Sequence, residues 1–414
     1  MTFTTITLFY LILYVIRQTV EVSLEIVNAK YIQAAKDRLP DHLVGKIDMP
    51  TYVKSIDYHL SGYRFGMITR IVRILIHWLF IVIGFHFLDS RLRALNMNPY
   101  WTGLAFFGLY YFIGLIIDLP FSLYHDFVLE DRYGFNKKTL TIFISDKIKG
   151  LALLVILGGP LIFALLWLMR SAGAFWWIYS AVFIISFQIF VIWIAPTVIF
   201  PLFNKLSPLE GEKGEAAKQL AATASFPVKE VMVMDASRRS GHADAFFTGF
   251  GKIKKIVLFD TLLNKTTTDQ TLAVLAHEIG HYKLKHIRKN LLLAGTGIFI
   301  FFGFMALMRE CPVFYHSLGF SMMSDYAVLI IFSIIFSELL FPFQMIFTRL
   351  SRRFEYAADA FAVNLTQKPE ALVEALEILH TVNLSAPVVH PAYSAYHYSH
   401  PDLPERIKAI RQLE

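Results

Sequence analysis

Three residues in one short segment carry the clearest chemistry in this chain. Ala276-His277-Glu278-Ile279-Gly280-His281 contains the pattern His-Glu-x-x-His. On a helix, positions four apart lie one turn apart on the same face, so His277 and His281 can aim ring nitrogens at one metal ion. Glu278, beside them, could accept a proton from an attacking water without itself being a ligand. The apolar run Leu272 to Ala276 suits a helix buried at an active site better than a solvated one. The chemistry implied is zinc-assisted hydrolysis, with one Zn2+ per chain.

A catalytic zinc usually takes a third protein ligand and keeps one position open. His286 lies nine residues after His277, which at about 100° per residue is the far side of a continuous helix. The metzincin pattern would need Gly at position 284 and His at 287, where the chain has Leu284 and Ile287, so that class is excluded. Carboxylates on a later helix are the natural candidates. Glu338 is one, although it lies in an apolar stretch. Glu355 is the better one, in the helix-forming run Arg352 to Asp359, with Asp359 one turn further on. From there Asp359 could accept the second ring N–H of a ligand histidine and fix its tautomer.

The elements that must position these residues are mostly membrane helices. Of 414 residues, 56% are hydrophobic and only 17% charged, well away from a soluble globular balance. Apolar stretches long enough to cross a bilayer recur near 4–26, 68–88, 101–124, 150–169, 175–200, 291–309 and 326–348. The first has no basic leader and no small-residue cleavage site, so it reads as a span rather than a cleaved signal. Pro196 and Pro201 should end or kink the fifth. Asp118 and Glu338 sit at expensive positions within spans, which points to a lined cavity or an internal pair. His77 and His86 read as packing or interfacial residues.

Basic residues cluster after span one (Lys30, Lys36, Arg38, Lys46, Lys54, Arg64) and after span three (Arg132, Lys137, Lys138, Lys147, Lys149). By the positive-inside rule those loops are cytoplasmic, with the N-terminus outside or lumenal and the C-terminus in the cytoplasm. The net charge of +7 then belongs to topology and anionic lipid, and no nucleic-acid partner is expected. A single cysteine, Cys311, excludes an intrachain disulfide framework and a cysteine zinc site.

The expected fold is mainly α. Seven transmembrane helices are joined to a cytoplasmic zinc metalloprotease region with a small β-sheet. The division runs 1–201 for spans one to five with their loops, 202–290 for the region holding the strands and the zinc helix, 291–348 for spans six and seven, and 349–414 for the C-terminal part of the catalytic domain. Strands are expected near 230–236 and 245–260, with Gly249 and Gly251 marking a turn. Thr268 is the candidate cap of the zinc helix.

The chain also resembles the zinc-dependent CAAX prenyl protease family, which includes the enzyme that matures the yeast a-factor pheromone. The likeness lies in Phe127 to Glu130, Gly134 to Lys137, Pro201 to Lys205, Arg239 to His242, Ala245 to Phe250, His277 to Leu284, Glu355-Tyr356 with Asp359, and His400-Pro401 with Arg406-Ile407. It implies seven transmembrane helices enclosing a chamber, with the metal site near its cytoplasmic end. It further implies Glu355 as third zinc ligand and Asp359 as its supporting acid. His400 and Arg406 match residues that stabilise the reaction's oxyanion, and Ala245, Phe246 and Phe247 match a strand edge that pairs with substrate. One position departs from the pattern: the family carries Asn where this chain has Asp244, and an ionised carboxylate accepts hydrogen bonds but donates none.

The function this implies is an integral membrane zinc metalloendopeptidase that removes the C-terminal tripeptide of prenylated CAAX-type substrates, in contact with membrane lipid. The alternative is a broad-specificity quality-control protease of a bacterial inner membrane, whose relatives are shorter with fewer spans. A receptor or transporter with a structural zinc would need four protein ligands. The compact loop after span six and the absence of an ER-retrieval tail lean toward a bacterial inner membrane, with the ER membrane expected if the host is eukaryotic.

Overall fold

The computed structural model describes residues 4–40, 43–226, 231–250 and 253–413. Among the described residues, seven helices are long and apolar enough to cross a membrane: Thr5–Ala34, Met49–Ala94, Pro99–Tyr133, Leu140–Ser171, Gly173–Phe203, His286–Met308 and Asp325–Thr366. Each covers one expected span, and most run past it, because helices continue into the polar regions that hydropathy alone cuts off. Around Pro196 and Pro201 the fifth helix turns through Ala195–Ile199 and a last helical turn Phe200–Phe203 before Asn204 becomes extended. Missing N–H donors at the prolines explain the distortion.

Exposed Leu, Ile, Val and Phe side chains line the outer faces of the spans, as expected where lipid is the solvent. Their inner faces share an aromatic-rich core that includes Phe85, Phe106, Phe320 and Tyr326. The two acids expected inside spans are both paired. Glu338, 4% exposed, meets Arg17 at 3.0 Å, and Asp118 meets Arg73 at 3.2 Å. His77 stacks on Tyr14 with ring centroids 5.1 Å apart, while His86 faces outward.

Span seven matters most for the site. After a 3-10 turn at Phe341–Phe343 its helix continues as Gln344–Thr366, carrying Glu355 beyond the apolar stretch and up to the helix that holds His277 and His281. The helix Thr268–Lys283, which holds His277 and His281, packs along it. Gly280 makes this approach possible. A Cβ there would stand 3.2 Å from Ala358 Cα and O and from Phe361 Cβ, so the facing helix would have to give by a few tenths of an ångström. Helices Gly211–Thr223 and Pro369–Val382 cover the other faces.

The helix Thr268–Lys283 begins where the sequence suggested, but its cap is not Thr268. Thr267 is its cap and Thr268 its first residue. Thr267 Oγ1 accepts from Gln270 N–H at 3.3 Å, and Gln270 Oε1 accepts from Thr267 N–H at 2.8 Å. Gln270 three residues on completes this reciprocal box, an arrangement that selects Thr267 over its neighbour and stabilises by about 1 kcal/mol.

A four-stranded sheet lies beside that helix: β1 Leu206–Pro208, β2 Val231–Met234, β3 Ala245–Phe250 and β4 Ile253–Phe259, in the order β1-β2-β4-β3. β2 and β4 run parallel, and the other pairs are antiparallel. The stretch expected as strand near 245–260 is thus the β3–β4 hairpin, with Gly249 at φ +92. Glu230 and Gly251 lie outside the described residues. β1 was not foreseen; three residues containing Pro208 carry no alternating pattern to read. β3 is an edge strand, paired on one side only among the described residues.

Candidate active site

His277 and Glu355 reach one point from two helices. His277 Nε2 lies 3.1 Å from His281 Nε2 and 3.4 Å from Glu355 Oε2, and His281 Nε2 lies 3.4 Å from Glu355 Oε1. These are the described residues whose ligand atoms gather within 4.8 Å of one another in a metal-capable set. On its other side, His277 Nδ1 lies 2.8 Å from Asp359 Oδ1. Arg406 then holds Asp359 through Nε to Oδ2 at 2.9 Å and a terminal nitrogen to Oδ1 at 2.6 Å. The guanidinium approaches Glu355 only to 4.0 Å, so its strong bonds are spent on Asp359. His400, largely exposed to the cavity, brings Nδ1 to 2.8 Å from Glu355 Oε2.

The cavity in front of this cluster has a volume of about 1020 Å³. Tyr31, near the end of helix Thr5–Ala34, and Tyr58 and His59, in the first turns of helix Met49–Ala94, line one side, and Asp244, Glu278 and His400 another. Glu278 is turned toward β3: its Oε2 accepts the Phe247 N–H at 3.1 Å. Since Phe247 points its N–H away from β4, Ala245, Phe247 and Gly249 present their backbone groups to the free edge, as alternation in an antiparallel strand requires. Asp244 Oδ1 accepts the Ala245 N–H at 2.8 Å.

Burial and charge set the protonation pattern. Burial pushes Glu278 up to about 7, with the Glu355 and Asp244 charges adding to the rise and His277 opposing it. Burial alone would lower His277, but its bonds with Asp359 and Glu355 hold it up at about 9. His281 is pulled down to about 4, chiefly by burial and then by His277. Asp244 is raised, again mainly by burial. Two imidazoles and a carboxylate crowded together, with a carboxyl poised near neutrality beside them, form the charge pattern of a hydrolytic metal centre.

Comparison with known proteins decides the family. A family model described as the CAAX prenyl protease N-terminal region, five membrane helices, matches residues 28–205, and that of peptidase family M48 matches residues 210–414. A CAAX prenyl protease 1 homolog from Oryza sativa is 39% identical over 91% of each chain. This chain belongs to the CAAX prenyl protease family of M48 peptidases. CAAX prenyl protease 1 of Saccharomyces cerevisiae is 35% identical over 92% of this chain and 90% of its own. The crystal structure of S. mikatae Ste24p superposes with a TM-score of 0.89 at 33% identity, covering 98% of this chain and 99% of that one. The chain is a membrane metalloprotease.

Family membership implies a metal, and the residues present fit one. Ligands about 2.0–2.1 Å from a tetrahedral ion stand roughly 3.3–3.4 Å apart, close to the 3.1 to 3.4 Å separations seen here. Glu355 Oε2 is buried with only histidine nitrogens close to it, His400 Nδ1 at 2.8 Å and His277 Nε2 at 3.4 Å, and imidazole nitrogen with carboxylate oxygen is a donor set that suits zinc.

Supporting contacts also appear that the sequence did not reveal, although Glu130, Phe135 and His242 stand in segments that carry the family likeness. Glu130, 8% exposed, accepts from Tyr58 Oη at 2.8 Å and lies 3.1 Å from His242 Nε2, while Phe135 stacks on the His242 ring with centroids 3.8 Å apart. Asn383 clamps Ala243 in both directions, accepting its N–H at 2.8 Å and donating to its carbonyl at 2.9 Å. Together they fix the chain leading into Asp244 and β3. His286 holds a further surprise: the zinc helix is not continuous through it, and its ring returns to within 3.0 Å of His281.

Proposed function

We propose that this chain cleaves peptide bonds with one zinc ion held by His277, His281 and Glu355, and that it removes the C-terminal tripeptide of prenylated CAAX-type substrates. The observation that carries the reading is the donor set on two helices, with Glu278 beside it on the cavity wall. The printed names of the relatives, CAAX prenyl protease 1 and its homologs, support the substrate class.

Zinc in such a site polarises the scissile carbonyl and acidifies water. Glu278 takes the proton of the attacking water and passes it to the leaving amine. His400 faces the same cavity and donates to the oxyanion as it forms. Asp359 keeps His277 in the tautomer that leaves Nε2 free, and Arg406 assists by holding Asp359. An extended substrate lies along the free edge of β3, at Ala245, Phe246 and Phe247, next to Asp244.

The catalytic unit is read as two segments, 202–290 and 349–414, around spans six and seven. The basic loops after spans one and three support a cytoplasmic active site with the N-terminus on the opposite side. The compact loop after span six favours a bacterial inner membrane, or the ER membrane in a eukaryotic host. A quality-control protease of shorter build is disfavoured by the near-full-length likeness to CAAX prenyl proteases.

Glu278→Gln tests the mechanism. The variant should retain zinc at wild-type stoichiometry and lose at least about 10²-fold in turnover. Loss of zinc together with activity would give Glu278 a different role.

A further inference from the structure

Between the zinc helix and span six the chain makes a sharp break. The helix stops at Lys283, Leu284 caps it, and Lys285 adopts the left-handed conformation at φ 60, ψ 31. A lysine there costs about 1–2 kcal/mol relative to ordinary helix. The break returns His286, the first residue of the next helix, to the face that carries His281. Its side chain is 3% exposed. Its ring lies flat on Phe354, with centroids 4.2 Å apart and planes 11° off parallel, and Phe354 directly precedes Glu355.

His286 Nδ1 lies 3.0 Å from His281 Nδ1. A hydrogen bond between two imidazole nitrogens needs one N–H and one lone pair. Nε2 of His281 is turned toward His277 and Glu355, so a metal there takes its lone pair and leaves the proton on Nδ1. The partner must then accept. We propose that His286 is a positioning residue for His281: as a neutral acceptor it fixes the tautomer and ring orientation of that ligand.

The two histidines of the motif are therefore supported differently. His277 has a carboxylate behind it, Asp359, which makes its imidazole a stronger donor to metal. His281 has an uncharged ring, which orients it without adding a second negative charge behind the site. The inference rests on the reading of His281 as a zinc ligand.

Two substitutions separate acceptor from stacking. His286→Phe keeps an aromatic face for Phe354 and removes the acceptor. His286→Asn places an amide oxygen near the position of Nδ1 and gives up the stack. Release of zinc from the detergent-purified full chain into a chromophoric chelator is the readout, with the visible spectrum of the cobalt-substituted protein alongside. His286→Phe should release zinc about 10–100-fold faster and alter the cobalt bands, whereas His286→Asn should stay within about threefold of wild type. Wild-type retention in His286→Phe, or equal loss in both variants, overturns the proposal. His281→Ala is the separate control: if that variant held zinc like wild type, the ligand assignment itself would fail, whatever the His286 variants do.

Discussion

Arg406 grips Asp359 through two nitrogens, Nε to Oδ2 at 2.9 Å and a terminal nitrogen to Oδ1 at 2.6 Å. Asp359 in turn meets His277 Nδ1 at 2.8 Å, so a residue near the C-terminus orients the His277 ring on another helix. The pair is buried, Asp359 to 1% and Arg406 to 9% exposure. A lysine cannot reproduce the planar fork. Arg406→Lys should therefore weaken zinc retention by roughly 10–100-fold, as read by chelator competition. Reduced turnover with unchanged zinc retention would mean that Arg406 acts on substrate instead.

Gly280 leaves little room for a side chain. A Cβ would stand 3.2 Å from the Ala358 backbone, and Ala358 lies between Glu355 and Asp359. Gly280→Val should push the two ligand helices apart and lower both zinc content and thermal stability, the latter by about 1–3 kcal/mol from overpacking. Metal analysis and thermal unfolding of the purified variant check this. Wild-type values in both would show that the helices adjust freely.

The pH dependence should report on Asp244. As the proposed base, Glu278 works only when ionised, so activity should fall as pH drops through its pKa. That pKa is raised mainly by burial and further by the charges of Glu355 and Asp244. Asp244→Asn removes one of those charges, and the acid limb of kcat/KM should move to lower pH. Turnover should rise as well, because an amide can donate to a substrate carbonyl. A limb that stays put or moves upward, or unchanged turnover, counts against this role.

Substrate pairing on β3 has its own signature. Phe247 already gives its N–H to Glu278 at 3.1 Å, which leaves outward carbonyls on the edge to accept from a bound peptide. N-methylating the substrate amides near the cleaved bond, one at a time, should cost about tenfold in kcat/KM at the paired position, the worth of a hydrogen bond of ~1.4 kcal/mol. A loss spread evenly over all positions would argue against strand pairing.

What the sequence revealed follows from how local each signal is. Seven spans were legible because apolar runs of bilayer length need no partner to be recognised. His277 and His281 were legible because one helical turn fixes their spacing, and Asp359 stands in the same relation to Glu355. The break at Lys285 was not. Nothing in Leu284-Lys285 announces a left-handed residue, so a continuous helix sent His286 to the wrong face. Glu130 and His242 are 112 positions apart, and Ala243 and Asn383 are 140 apart. Such pairs exist only once the tertiary fold has formed, and no periodicity encodes them.

The most direct measurement is cleavage of a farnesylated CAAX peptide by the full chain, purified in detergent with zinc and followed by mass spectrometry. Its unprenylated twin and the Glu278→Ala variant run alongside. Release of the last three residues from the farnesylated peptide, absent in the variant, is the expected result. Comparable cutting of both peptides, or no cutting of either with zinc verified in the protein, would contradict the prenyl protease reading.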